Sequence, residues 1–306
     1  MTPPPRGRLI GAFLLLSFIW GTTWAGIRIG LQGVPPFTGV ALRFAIAGTL
    51  LLALAPVFGV RLGRGRHEKA LWLVNGVLSF CISYSVVYWS EQYIPSGLTA
   101  VLFATYPLFV AVLAHVLLPG ERLSRSATLG LVLGFVGVAV IFSDDLTLLG
   151  GDRVREAALV MLVSPVVSAV ASVVVKRWGS DIPPLSIAAV PMLVAGVVMG
   201  GVALLVERDA RLVLDARSVG ALLYLALFGS AVTFTIYYWL LARWAATRVA
   251  LISYLIPIVA VAVGRVLFDE PLRPRLVAGA ILVLAGVVIV TRFRRRPSQS
   301  PGSGRA

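Results

Sequence analysis

The feature that most constrains this chain is a series of apolar runs, each about 20 residues long and almost free of charge. A run of that length matches the hydrocarbon thickness of a bilayer. Ten of them follow one another, at roughly 9–29, 37–58, 70–90, 97–118, 126–143, 157–175, 185–206, 219–240, 249–268 and 276–291. A backbone in hydrocarbon must satisfy its own polar groups, so each run is expected to be a helix. The chain has 306 residues with 27 Lys and Arg and 13 Asp and Glu, and only Arg28, Arg43 and Arg265 fall inside the runs. Charged residues make up 13% of the total, against about 25% in soluble domains. The expectation is an all-α integral membrane protein with ten transmembrane helices.

The same composition excludes several chemistries. Cys81 is the only cysteine, and His67 and His115 are the only histidines. No disulfide framework, iron–sulfur cluster or thiolate zinc site can be built from them. No metal and no cofactor is expected. The opening Pro3-Pro4-Pro5-Arg6-Gly7-Arg8 followed by an apolar run looks like a signal peptide. The run is long, lacks an obvious cleavage site and precedes nine more, so it reads as an uncleaved first helix.

Net charge is +14 and the isoelectric point near 11.1, which could suggest nucleic acid. The location of the charge argues otherwise. Alternate connections carry most of the Lys and Arg, among them Arg61, Arg66, Lys69, Arg122, Arg125, Lys176, Arg243 and the Arg292–Arg296 cluster. Their only acids are Glu68, Glu121 and Asp181. Loop Lys and Arg mark the cytoplasmic side, so both termini are expected inside, in a plasma (inner) membrane. The basic excess would meet anionic lipid heads there. Besides the bilayer, the expected partner is a small-molecule substrate; a homodimer is compatible with the sequence, and nucleic acid is not expected.

The two halves of the chain match. Tyr88-Trp89 and Pro107 answer Tyr238-Trp239 and Pro257 at a spacing of 150. Glu121, Gly130 and Gly137 answer Glu270, Gly279 and Gly286 at 149, and Pro35-Pro36 and Gly48 answer Pro183-Pro184 and Gly196 at 148. The expected units are 10–142 and 157–291, five runs each, with 292–306 as a disordered cytoplasmic tail. Five is odd, so the second copy enters the membrane inverted, a construction common in secondary transporters.

Trp20-Gly21-Thr22-Thr23, Ala41-Leu42-Arg43-Phe44, Pro107-Leu108-Phe109 and Gly120-Glu121-Arg122-Leu123 followed by Gly130 and Gly137 resemble an EamA domain. Tyr254-Leu255-Ile256-Pro257, Asp269-Glu270-Pro271 and Gly279 with Gly286 resemble a second copy. The chain is therefore similar, over nearly its whole length, to the EamA family of the drug/metabolite transporter superfamily. That resemblance implies ten helices, two copies and export of small metabolites. The second copy has Ser168 and Pro191 where the first has Trp20 and Arg43, so roles at those positions are not symmetric.

Residues four apart share a helix face. By that rule Trp20 and Trp24 stand together, as do Ser164, Ser168 and Ser172, and Tyr84 and Tyr88. A pore between the halves would have an aromatic and a hydroxyl wall. Lipid-facing tryptophans and close-packing serines are the plain alternative, favoured for Trp24. Tyr106 and Tyr254 sit beside the mid-run prolines, where a phenol needs a wet cavity or a partner. The candidate substrate residues are Trp20, Arg43, Tyr84, Tyr106, Ser164, Ser168 and Tyr254. Tyr88, Trp89, Tyr238 and Trp239 lie at run ends and read as an interfacial aromatic belt. Pro107 and Pro257 each remove a helix hydrogen bond and are candidate kinks or hinges. Arg43 lies about 9 Å into its run, as a fork for a substrate carboxylate or, the favoured reading, as a tie between helices. Gly26/Gly30, Gly130/Gly134 and Gly196/Gly200 suit close helix packing. Arg265, four before Asp269, reads as a helix-end ion pair.

No acid lies inside any run, so an intramembrane enzyme lacks the carboxylates for a metal site. Ser96 and His115 would stand about 30 Å apart on a straight helix. No phosphate-binding G-x-x-x-x-G-K-[ST] loop is present, and there is no exposed domain for a receptor. What remains is a secondary exporter of small neutral or zwitterionic, amino-acid-like metabolites working by alternating access. The alternative is efflux of amphipathic drug-like compounds. Only His115 and Glu91 are available as proton-linked groups, and both are expected to be dispensable for exchange.

Overall fold

The computed structural model describes residues 4–63, 65–94, 96–141, 143, 152–268 and 274–292. Among them 7 helices are long and apolar enough to cross a membrane: α1 (Arg6–Gly30), α2 (Pro36–Leu54), α3 (Arg66–Ser90), α4 (Leu98–Leu117), α6 (Arg153–Trp178), α7 (Pro184–Val206) and α8 (Ala216–Arg243). Three shorter apolar helices accompany them: α5 (Arg125–Ile141), α9 (Ala246–Val259) and α10 (Val277–Thr291). Seven of the ten expected runs are thus long enough to cross a membrane, and the other three coincide with shorter apolar helices. The expected tail, the Asp269-Glu270-Pro271 loop and the side chain of Arg265 lie outside the described residues.

Helix starts follow from local chemistry. Pro36 and Pro184 each occupy the first turn, where a missing N–H costs nothing. Glu207 satisfies the next free amides of α2, accepting from Phe37 N and Thr38 N, each at 2.8 Å. Glu121 does the same for α9, accepting from Ala246 N at 3.0 Å. Asp215 caps α8 through Ser218 Oγ (2.6 Å) and Ser218 N (2.8 Å), and these bonds hold its carboxyl below the usual carboxylate range.

Prolines break the helices as expected at Pro107: α4 turns out of helix at Ala104–Thr105 and restarts at Tyr106. Pro257 lies inside a helix, the break there falling at Leu251. Residues Gly76–Ser83 of α3 and Leu227–Val232 of α8 are wound as π-helix, a form concentrated at functional sites.

The two most extensive helix pairs are α2 with α7 and α5 with α10. Both are built on glycine. A Cβ at Gly48 would fall 2.6 Å from Leu193 N, and one at Gly196 2.6 Å from Ala45 N. A Cβ at Gly130 would lie 2.8 Å from Gly286 O, and one at Gly137 2.7 Å from Gly279 O. Backbones touch there because no side chain intervenes. Gly30 and Gly200 instead face open space; their expected partners in close packing, Gly26 and Gly196, do the packing alone.

Hydrogen bonds between connections sort them into two groups. Val213 N donates to Gly33 O (2.7 Å), beside the Glu207 cap of α2. In the other group His67 Nε2 donates to Trp178 O (2.6 Å), Ser186 Oγ to Glu68 Oε1 (2.8 Å), Lys176 Nζ to Leu241 O (2.7 Å), and Glu121 caps α9.

Candidate functional site: a central aromatic cavity

With α2/α7 and α5/α10 paired off, the other six helices surround a cavity of about 790 Å³, open mouth included. α1, α3 and α4 from the first half of the chain and α6, α8 and α9 from the second line it. Eight aromatic rings line it: Trp20, Trp24, Tyr84, Phe103, Tyr106, Phe234, Tyr237 and Tyr238. They interlock edge to face: Trp20 on Phe234 at 5.2 Å and Trp24 on Phe103 at 5.9 Å between ring centres. No Asp, Glu, Lys, Arg or His is among the lining residues described.

The remaining wall is hydroxyl. Tyr106 Oη and Tyr237 Oη each lie 2.8 Å from Ser172 Oγ and 2.6 Å from each other, and Ser172 Oγ donates to Ser168 O at 2.7 Å. Three hydroxyl protons thus serve four short contacts, so this corner has acceptor capacity and no spare donor. One turn on, Ser83 Oγ bridges Ser164 Oγ and Ser168 Oγ, both at 2.8 Å. Below, Tyr238 Oη and Ser79 Oγ donate to Asn75 Oδ1 at 3.0 and 2.9 Å, while Asn75 Nδ2 donates to Ile187 O. The indole N–H of Trp24 is buried and has no acceptor.

Of the residues singled out in the sequence, Trp20, Tyr84, Tyr106 and Ser168 line this cavity. Ser164 stands one turn behind, held by Ser83. Tyr254 is elsewhere: its ring packs over Gly134 and its hydroxyl donates to Leu131 O at 2.7 Å. Trp24 faces the cavity and not the lipid. Tyr88 and Tyr238 are 3% and 4% exposed, so they are interior residues and not members of an interfacial belt. Asn75, Ser79 and Ser83 were missed, although they repeat the spacing of the Ser164 stripe. So were Phe103 and Phe234, which carry no polar signal.

Arg43 is 0% exposed and is not in the cavity wall. Its Nε donates to Ser230 Oγ (2.7 Å), Nη2 to Gly229 O (2.9 Å) and Nη1 to Tyr88 Oη (3.3 Å). Its guanidinium also lies 4.7 Å from the centre of the Tyr84 ring. Gly229 and Ser230 belong to the π-helical turn of α8, so Arg43 ties α2 to that turn. His115 is exposed, and its Nδ1 accepts from Leu123 N at 3.2 Å. Glu91, at the end of α3, is 8% exposed, and neither carboxyl oxygen has a hydrogen-bond partner.

Residues 8–143 and again 155–292 match the model of the EamA-like transporter family. The chain is 30% identical to the "Uncharacterized inner membrane transporter YedA" of Escherichia coli K12, over 92% of this chain and 90% of that one. It is 27% identical to a "Probable amino-acid metabolite efflux pump" of the same organism, over 95% and 97%. A crystal structure at 19% identity superposes with a TM-score of 0.80, over 94% of this chain and 97% of the other, which shows a shared fold.

Proposed function

We propose, since the chain belongs to the EamA-like transporter family, that it is a secondary transporter exporting small neutral or zwitterionic, amino-acid-like metabolites across the inner membrane by alternating access. The observation that carries the substrate class is the composition of the cavity. Eight aromatic faces and an acceptor-rich hydroxyl corner suit an apolar body with an ammonium group. The unpartnered Trp24 N–H offers a donor to a carboxylate or carbonyl. A multivalent cation would find no carboxylate to offset its desolvation.

Two further observations support a ten-helix architecture of inverted repeats with both termini inside. The glycine contacts are reciprocal: Gly130 meets Gly286 and Gly137 meets Gly279, as a two-fold axis relating α5 to α10 requires. The hydrogen bonds between connections also join only those that loop charge assigns to one side. Proteoliposome counterflow with labelled amino acids and other small metabolites tests the function. Exchange of a neutral or zwitterionic solute, lost in Trp20→Ala and Tyr84→Ala at unchanged abundance, is the expected result. Exchange confined to lipophilic cationic dyes would replace it with drug-like efflux.

A further inference from the structure

Glu91 closes α3 at the end where that helix meets α2 and the start of α6. Its side chain is 8% exposed, and both carboxyl oxygens are without a hydrogen-bond donor. An ionised carboxylate in that setting has lost its water and gained nothing in return; a protonated one has no charge to solvate. The groups facing it are few. Arg28 comes from α1 and Arg43 from α2, and Tyr88 precedes it by one turn on its own helix. From the first turns of α6, which pack on the end of α3, the charged residues with described side chains are Arg153, Arg155 and Glu156. Arg153 is engaged by Glu156 at 3.9 Å and lies over the Tyr93 ring at 5.6 Å.

Arg43 is the informative neighbour. It is a fully buried cation bound to a hydroxyl, a carbonyl and a phenol, with no carboxylate bonded to it. A buried cation and a buried acid therefore stand unbonded to each other, Arg43 being held by Tyr88 Oη while Glu91 has no partner. In that arrangement an ionised Glu91 has neither a donor nor water, which is the case for its being neutral there. Once ionised, Glu91 would draw on Arg28, Arg43 or water. Any shift of the Arg43 guanidinium toward Glu91 would disturb its contacts with Gly229 O, Ser230 Oγ and the ring of Tyr84. Tyr84 is cavity wall, and Gly229 and Ser230 are the π-helical turn of α8.

We propose that Glu91 is the proton-binding site that couples transport to the proton gradient. In the arrangement described it holds the proton on its carboxyl. Release of that proton to water recruits Arg43 and frees both the cavity wall and the α8 turn. The charge on Glu91 is thus felt at the substrate site through Arg43, whose guanidinium lies against the Tyr84 ring of the cavity wall. This revises the expectation of dispensability and rests on the transport reading above.

Infrared spectra of the wild-type protein in vesicles should contain a protonated-carboxyl band at neutral pH. The band should be lost on alkalinisation, shifted in Glu91→Asp and absent in Glu91→Gln. In the same vesicles, accumulation driven by an imposed pH gradient should fall in Glu91→Gln to the gradient-free level and persist in Glu91→Asp. Glu91 ionised at all pH values from roughly 5 to 9, or full gradient-driven accumulation in Glu91→Gln, overturns the proposal. If Glu91→Gln does not fold, the wild-type and Glu91→Asp spectra still decide it. Absence of counterflow with every solute would instead sink the transport reading, and the infrared band would still report where the proton sits.

Discussion

A cation and an indole show what individual residues contribute. Arg43 has its Nε and both Nη engaged inside the protein. Arg43→Ala should therefore lower the thermal stability of the purified protein, with about 1–3 kcal/mol for each group left unsatisfied. Substrate preference should be spared; a selective loss of carboxylated substrates with unchanged melting would restore the fork. Trp24 is the converse case. Its N–H has no partner to lose, so Trp24→Phe should leave melting unchanged and weaken counterflow of carboxylate-bearing solutes about tenfold, worth about 1.4 kcal/mol. Equal exchange by both proteins would remove the donor role. At this scale face-sharing was legible: Trp20, Tyr84 and Ser168 follow from four-residue spacing. Orientation around the helix axis was not. Tyr254 sits beside Pro257 much as Tyr106 does beside Pro107, yet one fills a glycine notch and the other a cavity. Run ends misled for Tyr88 and Tyr238, because their neighbours Trp89 and Trp239 do lie nearer the surface. A doublet places its two members on different faces, so the belt reading fits only one of each.

For the helices, the glycine contacts separate positions that sequence treats alike. Gly137→Val should prevent α5 and α10 from meeting, since even a Cβ would fall 2.7 Å from a backbone oxygen. Gly200→Ala, with open space before it, should be neutral. Size-exclusion profiles of the two variants decide this, and a well-folded Gly137→Val would contradict the packing described. Glu207→Ala removes the acceptor of three bonds at the start of α2. Loss of a cap of this kind costs about 1 kcal/mol, measurable as a lower melting temperature; Glu207→Gln should recover part of it. Helix existence and the break before Pro107 were legible, because length, apolarity and a missing N–H act locally. The π-helical turns were not. They have no local signature; in the α8 turn the carbonyl of Gly229 is taken by Arg43 from another helix.

Across the whole molecule, the charge pattern makes a topological prediction. A cysteine at Arg61 should react with an impermeant maleimide only from the cytoplasmic side, and one at Asp209 only from outside. Cys81, buried within α3, should stay unlabelled. Labelling of both new cysteines from one side would end the alternating arrangement. The repeat was legible in spacing alone, through Pro107 and Pro257, Gly130 and Gly279. Which helices would line the cavity was not, because spacing relates positions along the chain and says nothing of who meets whom across the centre.

The glycine contacts of α2 with α7 and of α5 with α10 have a mechanical consequence. Two backbones in contact cannot slide over side chains that are not there, but they can turn about the point where they touch. Each pair joins one helix from either half; α2 and α7 meet at one level, around Gly48 and Gly196, and form the pivot, whereas α5 and α10 meet at two, Gly130 with Gly286 and Gly137 with Gly279. At about 1.5 Å per residue, a helix of about 20 residues extends ~15 Å on either side of such a pivot, and a turn of ~20° moves its two ends by ~5 Å in opposite senses. A seesaw of this kind cannot raise both ends together: whatever widens the molecule toward one face narrows it toward the other, by geometry and before any substrate is considered.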